Sequence, residues 1–176
     1  MNQSGENRQM IVNLAHGASG SAASMRPHID GLRRRGIEAR AIELPVGRAE
    51  KAVAVYQRQV TDIGNEVIGG HSYGGRVASM LAAEVSPRGL VLLSYPLHRP
   101  GQPEWETRIP HWPKISCPVL LLSGESDPFA RMELLRMAVE RLPNAELVTY
   151  PRIGHGLGPV LEDALDRVAS FVANLD

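Results

Sequence analysis

The sequence predicts an α/β fold: a doubly wound, mainly parallel sheet of six strands with helices on both faces. Three observations carry that expectation. Short apolar runs alternate with longer segments of helical period. Runs such as Leu90-Val91-Leu92-Leu93 and Val119-Leu120-Leu121-Leu122 are apolar without a break, which suits strands buried on both faces. Ser72, Asp127 and His155, the residues with chemistry to offer, each follow such a strand, on the rim where open parallel sheets hold their ligands.

Each element has its own signal. Met10 to Leu14 reads as a buried strand, and His16-Gly17-Ala18-Ser19-Gly20 as the loop after it. Met25 to Arg35 reads as a helix stopped by Gly36. Ala39 to Leu44 is a strand closed by Pro45, and Arg48 to Ile63 carries apolar residues at helical spacing. Val67 to Gly70 is the third strand, with a helix-like run from Arg76 to Glu84. Leu90 to Tyr95 and Val119 to Ser123 are the next strands, separated by a Pro-rich segment without a period, Pro96 to Pro113. Arg131 to Leu142 is a helix and Glu146 to Tyr150 the sixth strand. Leu161, Leu165, Val168, Val172 and Leu175 then mark one apolar face of a closing helix.

Length and composition narrow the function. The 176 residues suit one domain, read as residues 9–176 after a polar, flexible tail at residues 1–8. Nineteen basic residues balance nineteen acidic ones, so neither a nucleic acid nor a membrane surface is the expected partner. Arg33-Arg34-Arg35 reads as the solvated end of a helix. Cys117 is the single cysteine; it allows no internal disulfide, reads as a buried small residue, and favours a cytoplasmic location. The first eight residues lack the apolar core of a signal peptide, and no run has the length of a membrane span.

The chemistry centres on Gly70-His71-Ser72-Tyr73-Gly74, set between a strand and a helix. That context makes Gly-x-Ser-x-Gly a nucleophile elbow, with glycines where a Cβ would crowd the neighbouring strand and helix. A serine hydroxyl needs a base and an acid to orient that base. Asp127 and His155 supply both, in the chain order Ser, Asp, His. A helix cap before Pro128 is the plainer role for Asp127, and Glu125 is its rival as the acid. An oxyanion would take the backbone N–H groups of Tyr73 and of Ala18, with Gly17 as the alternative to Ala18. The glycine loop at 16–20 lacks the lysine and spacing of a nucleotide-binding loop. His16 and His71 read as packing and hydrogen-bonding residues, His98 and His111 as surface histidines without metal-ligand spacing. Trp105 and Trp112 either line an acyl pocket or anchor their segment.

These residues resemble those of a small α/β-hydrolase. More narrowly, the chain is similar to the branch named after testis-expressed protein thirty and subunit three of the non-specific-lethal complex, and more broadly to dienelactone-hydrolase-like enzymes. Leu14 to Ala18, Gly69 to Ser79, Gly124 to Phe129 and, for the branch, Tyr95 to Pro103 carry the likeness. His71-Ser72-Tyr73 stands where that branch has Lys-Ser-Met or similar, and Gly156 where an acid follows the histidine. The resemblance implies a triad of Ser72, Asp127 and His155 and a fold that begins at its His-Gly strand, without a long lid. The site is then open, with Pro96 to Pro113 as its partial cover. The expected activity is a serine esterase acting on small carboxylic esters or thioesters, with no metal or organic cofactor. The alternatives are an acyltransferase or perhydrolase using the same triad, or a non-catalytic interaction module.

Overall fold

The computed structural model describes residues 9–175. The tail read at residues 1–8 lies outside them. Six apolar runs form strands: β1 (Ile11–Ala15), β2 (Glu38–Ile42), β3 (Val67–His71), β4 (Gly89–Leu93), β5 (Val119–Gly124) and β6 (Ala145–Tyr150). They pair in one sheet of order β2-β1-β3-β4-β5-β6. Every pairing is parallel, so the sheet is wholly, not mainly, parallel. The chain runs outward from β1 to β2 and then returns past β1 to β3. That reversal puts a crevice at the carboxyl ends of β1 and β3.

Side chains along each strand alternate between two apolar layers. Leu90, Leu92 and Leu121 pack with Tyr56, Val77, Leu81 and Leu135. These last four belong to α2 (Ala49–Gln59), α3 (Tyr73–Glu84) and α4 (Met132–Val139). Val91, Leu93, Leu120 and Leu122 pack with Leu32 of α1 (Arg26–Arg34) and with Leu165 and Val168 of α5 (Leu161–Ala173). Burying each such leucine contributes about 2 kcal/mol. The sheet is thus covered on both faces, as its unbroken apolar strands require. Cys117 is buried, and its thiol pKa is pushed up to about 11 by that burial.

Several boundaries and one charge differ from expectation. Strands β2 and β4 each start one residue early and end two early, and α4 spans only Met132–Val139. The helical run from Arg48 ends at Gln59, because residues 61–65 turn instead to start β3. A short 3-10 turn, Ala22–Met25, precedes α1, whose helix opens with Pro27 in its first turn. The last helix stops at Ala173. Arg35 is not a solvated end. It reaches across to Glu162 (2.9 Å) and Asp166 (2.7 Å), tying α1 to α5. Among the described residues no helix is long and apolar enough to cross a membrane.

Tyr56 of α2 seals the seam below the crevice. Its hydroxyl accepts the Gly69 N–H (2.9 Å) and lies 2.7 Å from Gly69 O and 2.9 Å from Asn13 O. Burial raises the phenol pKa, so the group stays a neutral hydrogen-bonding wedge.

Candidate active site

The nucleophile elbow forms where β3 meets α3. Ser72 stands between them at φ 50°, ψ −116°, a conformation a non-glycine residue adopts only when its surroundings hold it. They do so at both ends: Ser72 N–H donates to Leu93 O (2.8 Å), and Ser72 O accepts the Arg76 N–H (3.0 Å). The turn also needs its glycines. A Cβ on Gly70 would lie 2.6 Å from Ala15 O, and one on Gly74 2.5 Å from the same oxygen. Backbone meets backbone here, with no flexible side chain to give way.

His155 reaches Ser72 from the loop after β6. Its Nε2 is 2.8 Å from Ser72 Oγ, and its Nδ1 is 2.8 Å from Asp127 Oδ2. The Asp127 side chain is 0% exposed, and its other oxygen accepts the Phe129 N–H at 2.8 Å. A buried carboxylate so placed holds the proton on Nδ1 and leaves the Nε2 lone pair facing the serine hydroxyl. Glu125, the rival acid, is exposed and accepts the Thr149 hydroxyl instead.

Residues 8–169 match the family model of the alpha/beta hydrolase domain. The chain belongs to that family. Its structure is similar to the monoacylglycerol lipase of Paleococcus ferrophilus, with 16% identity, a TM-score of 0.81, and coverage of 94% of this chain and 95% of that one. It is also similar to the esterase Pf2001 of Pyrococcus furiosus: 21% identity, TM-score 0.76, 94% and 81% covered. The dienelactone hydrolase of Anabaena variabilis gives 22%, 0.69, and 96% and 88%. At such identities the likeness is one of fold.

The rest of this hydrolase-fold site is built around the three residues. The loop after β1 turns tightly, closed by Gly20 N–H to Gly17 O (3.0 Å). It lies against Ser72: a Cβ on Gly17 would be 3.1 Å from His71 Nδ1 and 3.8 Å from Ser72 Cβ. Ala18 is the exposed tip beside it. Tyr73 is the first residue of α3, so its N–H has no carbonyl within the helix. Its hydroxyl donates to Pro45 O (2.8 Å), fixing the loop after β2. His16 is buried; its Nδ1–H donates to Gly17 O (2.7 Å) and its Nε2 accepts the Leu44 N–H (3.0 Å). His16 thus supports the loop, as its sequence context indicated.

His71 packs and hydrogen-bonds as its sequence context indicated, whereas two contributors, Phe129 and Gly124, escaped the sequence reading. His71 Nε2 reaches His155 O (3.3 Å), and burial lowers the His71 pKa. Phe129 packs on the His155 ring with centroids 4.5 Å apart. Gly124, at the end of β5, admits the His155 loop, for a Cβ there would collide with the carbonyl oxygens of Ile153 and Gly154. Gly154 and Gly156 are roomy by contrast: an added Cβ meets nothing within 4 Å. A motif marks residues near in sequence, whereas these contacts join separate strands.

The Pro-rich segment corrects two further expectations. His98 is not at the surface; it is 1% exposed, its Nδ1–H donates to Arg99 O (2.8 Å), and its Nε2 accepts the Arg131 N–H (3.0 Å). His111 is half-buried and bonded to Ser79 Oγ (2.8 Å). Burial and then Arg76 lower its pKa to about 4. Both histidines dock the segment, which is why they are inside. Trp105 and Trp112 are buried in the core around α3, Trp112 edge-on to Tyr95 at 4.9 Å, so they anchor the segment. Among the described residues no group of three or more His, Cys, Asp or Glu is arranged to hold a metal ion.

Proposed function

We propose that this protein is a serine hydrolase that cleaves small carboxylic esters or thioesters through an acyl-enzyme on Ser72. The observation that carries this reading is the unbroken relay from Ser72 Oγ through His155 to the buried Asp127, 2.8 Å at each step. A fold has no packing need for a strained serine facing an oriented imidazole, but acyl transfer needs both. The similarity of the fold to esterases and lipases supports the same class, and the Tyr95 to Pro103 stretch is the basis for placing it in the narrower branch.

In this reading Ser72 Oγ attacks the carbonyl carbon as His155 Nε2 takes its proton. Asp127 stabilises the imidazolium that forms. The N–H groups of Tyr73 and Ala18 hold the oxyanion. Collapse of the tetrahedral intermediate expels the alcohol or thiol, which receives the proton from His155. Water, deprotonated by His155, then attacks the acyl-enzyme and frees the acid and Ser72. Short p-nitrophenyl esters test the scheme: Ser72→Ala and His155→Ala are each expected to lower kcat by about 10⁴-fold or more, because the triad acts as a unit. Wild-type turnover in either purified variant rules the scheme out.

A further inference from the structure

Two guanidinium groups share a notch on the segment after β4, beside α3. Arg99 and Arg108 line one notch of about 240 Å³, with Gln102, Thr107 and Glu104. Arg76, in the first turn of α3, lies outside the lining but adds its positive charge nearby. Burial, then repulsion from Arg76 and from Arg99, lowers the Arg108 pKa. Holding like charges together costs free energy. Among the described residues neither Arg99 nor Arg108 is ion-paired, not even to Glu104 in the same notch. Arg76 has Glu50 at 3.5 Å, yet its Nε is buried without a partner. The charges of the whole chain balance, so this concentration is local.

The arginines sit on a fixed base. Arg108 Nη1 donates to Pro96 O (3.3 Å), and the Tyr95 hydroxyl donates to Arg108 O (3.4 Å). The Arg99 backbone closes a turn with Gln102 N–H (3.0 Å), through Gly101 at φ 72°. Tyr95, Leu97, Trp105 and Trp112 are buried in the core that anchors this segment. Arg76 is one helical turn from the nucleophile, its N–H on Ser72 O (3.0 Å), and the segment follows β4, the strand beside β3.

We propose that Arg99 and Arg108 bind an anionic group of the substrate, a carboxylate or a phosphate remote from the scissile ester, with Arg76 adding positive potential from α3. This rests on the hydrolase reading above. Arginine forks match both groups in shape, and a bound anion removes the repulsion the three cations impose on one another.

The test compares p-nitrophenyl hydrogen adipate with p-nitrophenyl hexanoate, equal in acyl length and differing by one carboxylate. Wild type is expected to favour the adipate ester in kcat/KM at low salt. Arg99→Gln and Arg108→Gln should each lower the ratio of the two values about tenfold; an unchanged ratio in both overturns the proposal. Binding is read separately by calorimetry, with adipate and inorganic phosphate titrated into wild type and Arg99→Gln. Arg99 is exposed, so its replacement leaves packing intact. Tighter adipate identifies a carboxylate and tighter phosphate a phosphate, and binding of neither overturns the site. If anions bind through Arg99 but neither ester is cleaved, the hydrolase reading fails and the anion site stands.

Discussion

Ser72 carries the strain of this site, and the strain is measurable. At φ 50°, ψ −116° its backbone occupies a region that favours glycine. Ser72→Ala keeps the conformational cost and removes a hydroxyl; Ser72→Gly releases it. Ser72→Gly is therefore expected to be more stable than Ser72→Ala by about 1 kcal/mol in urea unfolding, the lower end of the range for such strain. Equal stability would mean that the elbow is not strained. The three residues of the relay were legible in the sequence because each follows a strand, and because Gly70 and Gly74 mark the turn around Ser72. Asp127 was readable as acid or as cap, and its carboxylate bonds His155 Nδ1 with one oxygen and holds the Phe129 N–H with the other. His71 was legible as a hydrogen-bonding residue, but its partner, and the roles of Phe129 and Gly124, were not. Their contacts with the His155 loop depend on strands β3, β5 and β6 arriving side by side.

Among the elements, β1 and the start of α3 press close together. Gly74→Ala places a Cβ 2.5 Å from Ala15 O, where the strand itself must shift. A loss of about 2 kcal/mol is expected, within the range for overpacking, and chemical denaturation reads it; a neutral result would show that the elbow can relax. The segment after β4 is held less regularly. Its apolar residues Tyr95, Leu97, Trp105, Ile109, Trp112 and Ile115 are buried through turns and 3-10 pieces. No fixed period records such packing, so the sequence showed a gap there while the strands on either side were clear. His111 docks this segment on Ser79 of α3, with a pKa of about 4 against 6.5 for a free histidine. Between those values the unfolded chain binds a proton that the native one refuses, so stability falls as pH drops through this window. His111→Gln should flatten that fall by up to about 1.4 kcal/mol per pH unit, measured by urea unfolding at pH 5 and pH 7. An unaltered slope would place the acid sensitivity elsewhere, with His28, also lowered to about 4, as the next candidate.

Across the whole molecule, the sheet order decides where chemistry can occur. The reversal between β1 and β3 brings the Gly17–Ala18 turn against Ser72, while β5 and β6 deliver Asp127 and His155 from the other side. The alternation of strands and helices made this legible, because in such sheets right-handed crossovers leave few other topologies. Trp105 and Trp112, buried beneath the Pro-rich segment, build no apolar wall over the rim. Each further CH₂ of an acyl chain gains its roughly 0.8 kcal/mol only where a pocket buries it. In a p-nitrophenyl ester series kcat/KM is accordingly expected to peak at short chains; a steady climb beyond about eight carbons would reveal a tunnel. The central claim, that Ser72 is a nucleophile armed by His155 and Asp127, is tested most directly by fluorophosphonate labelling read by intact-protein and peptide mass spectrometry. One adduct per chain on Ser72, absent in Ser72→Ala and strongly slowed in His155→Ala, is the predicted result. No adduct on the folded wild-type protein, or an adduct on another serine that survives Ser72→Ala, would contradict it.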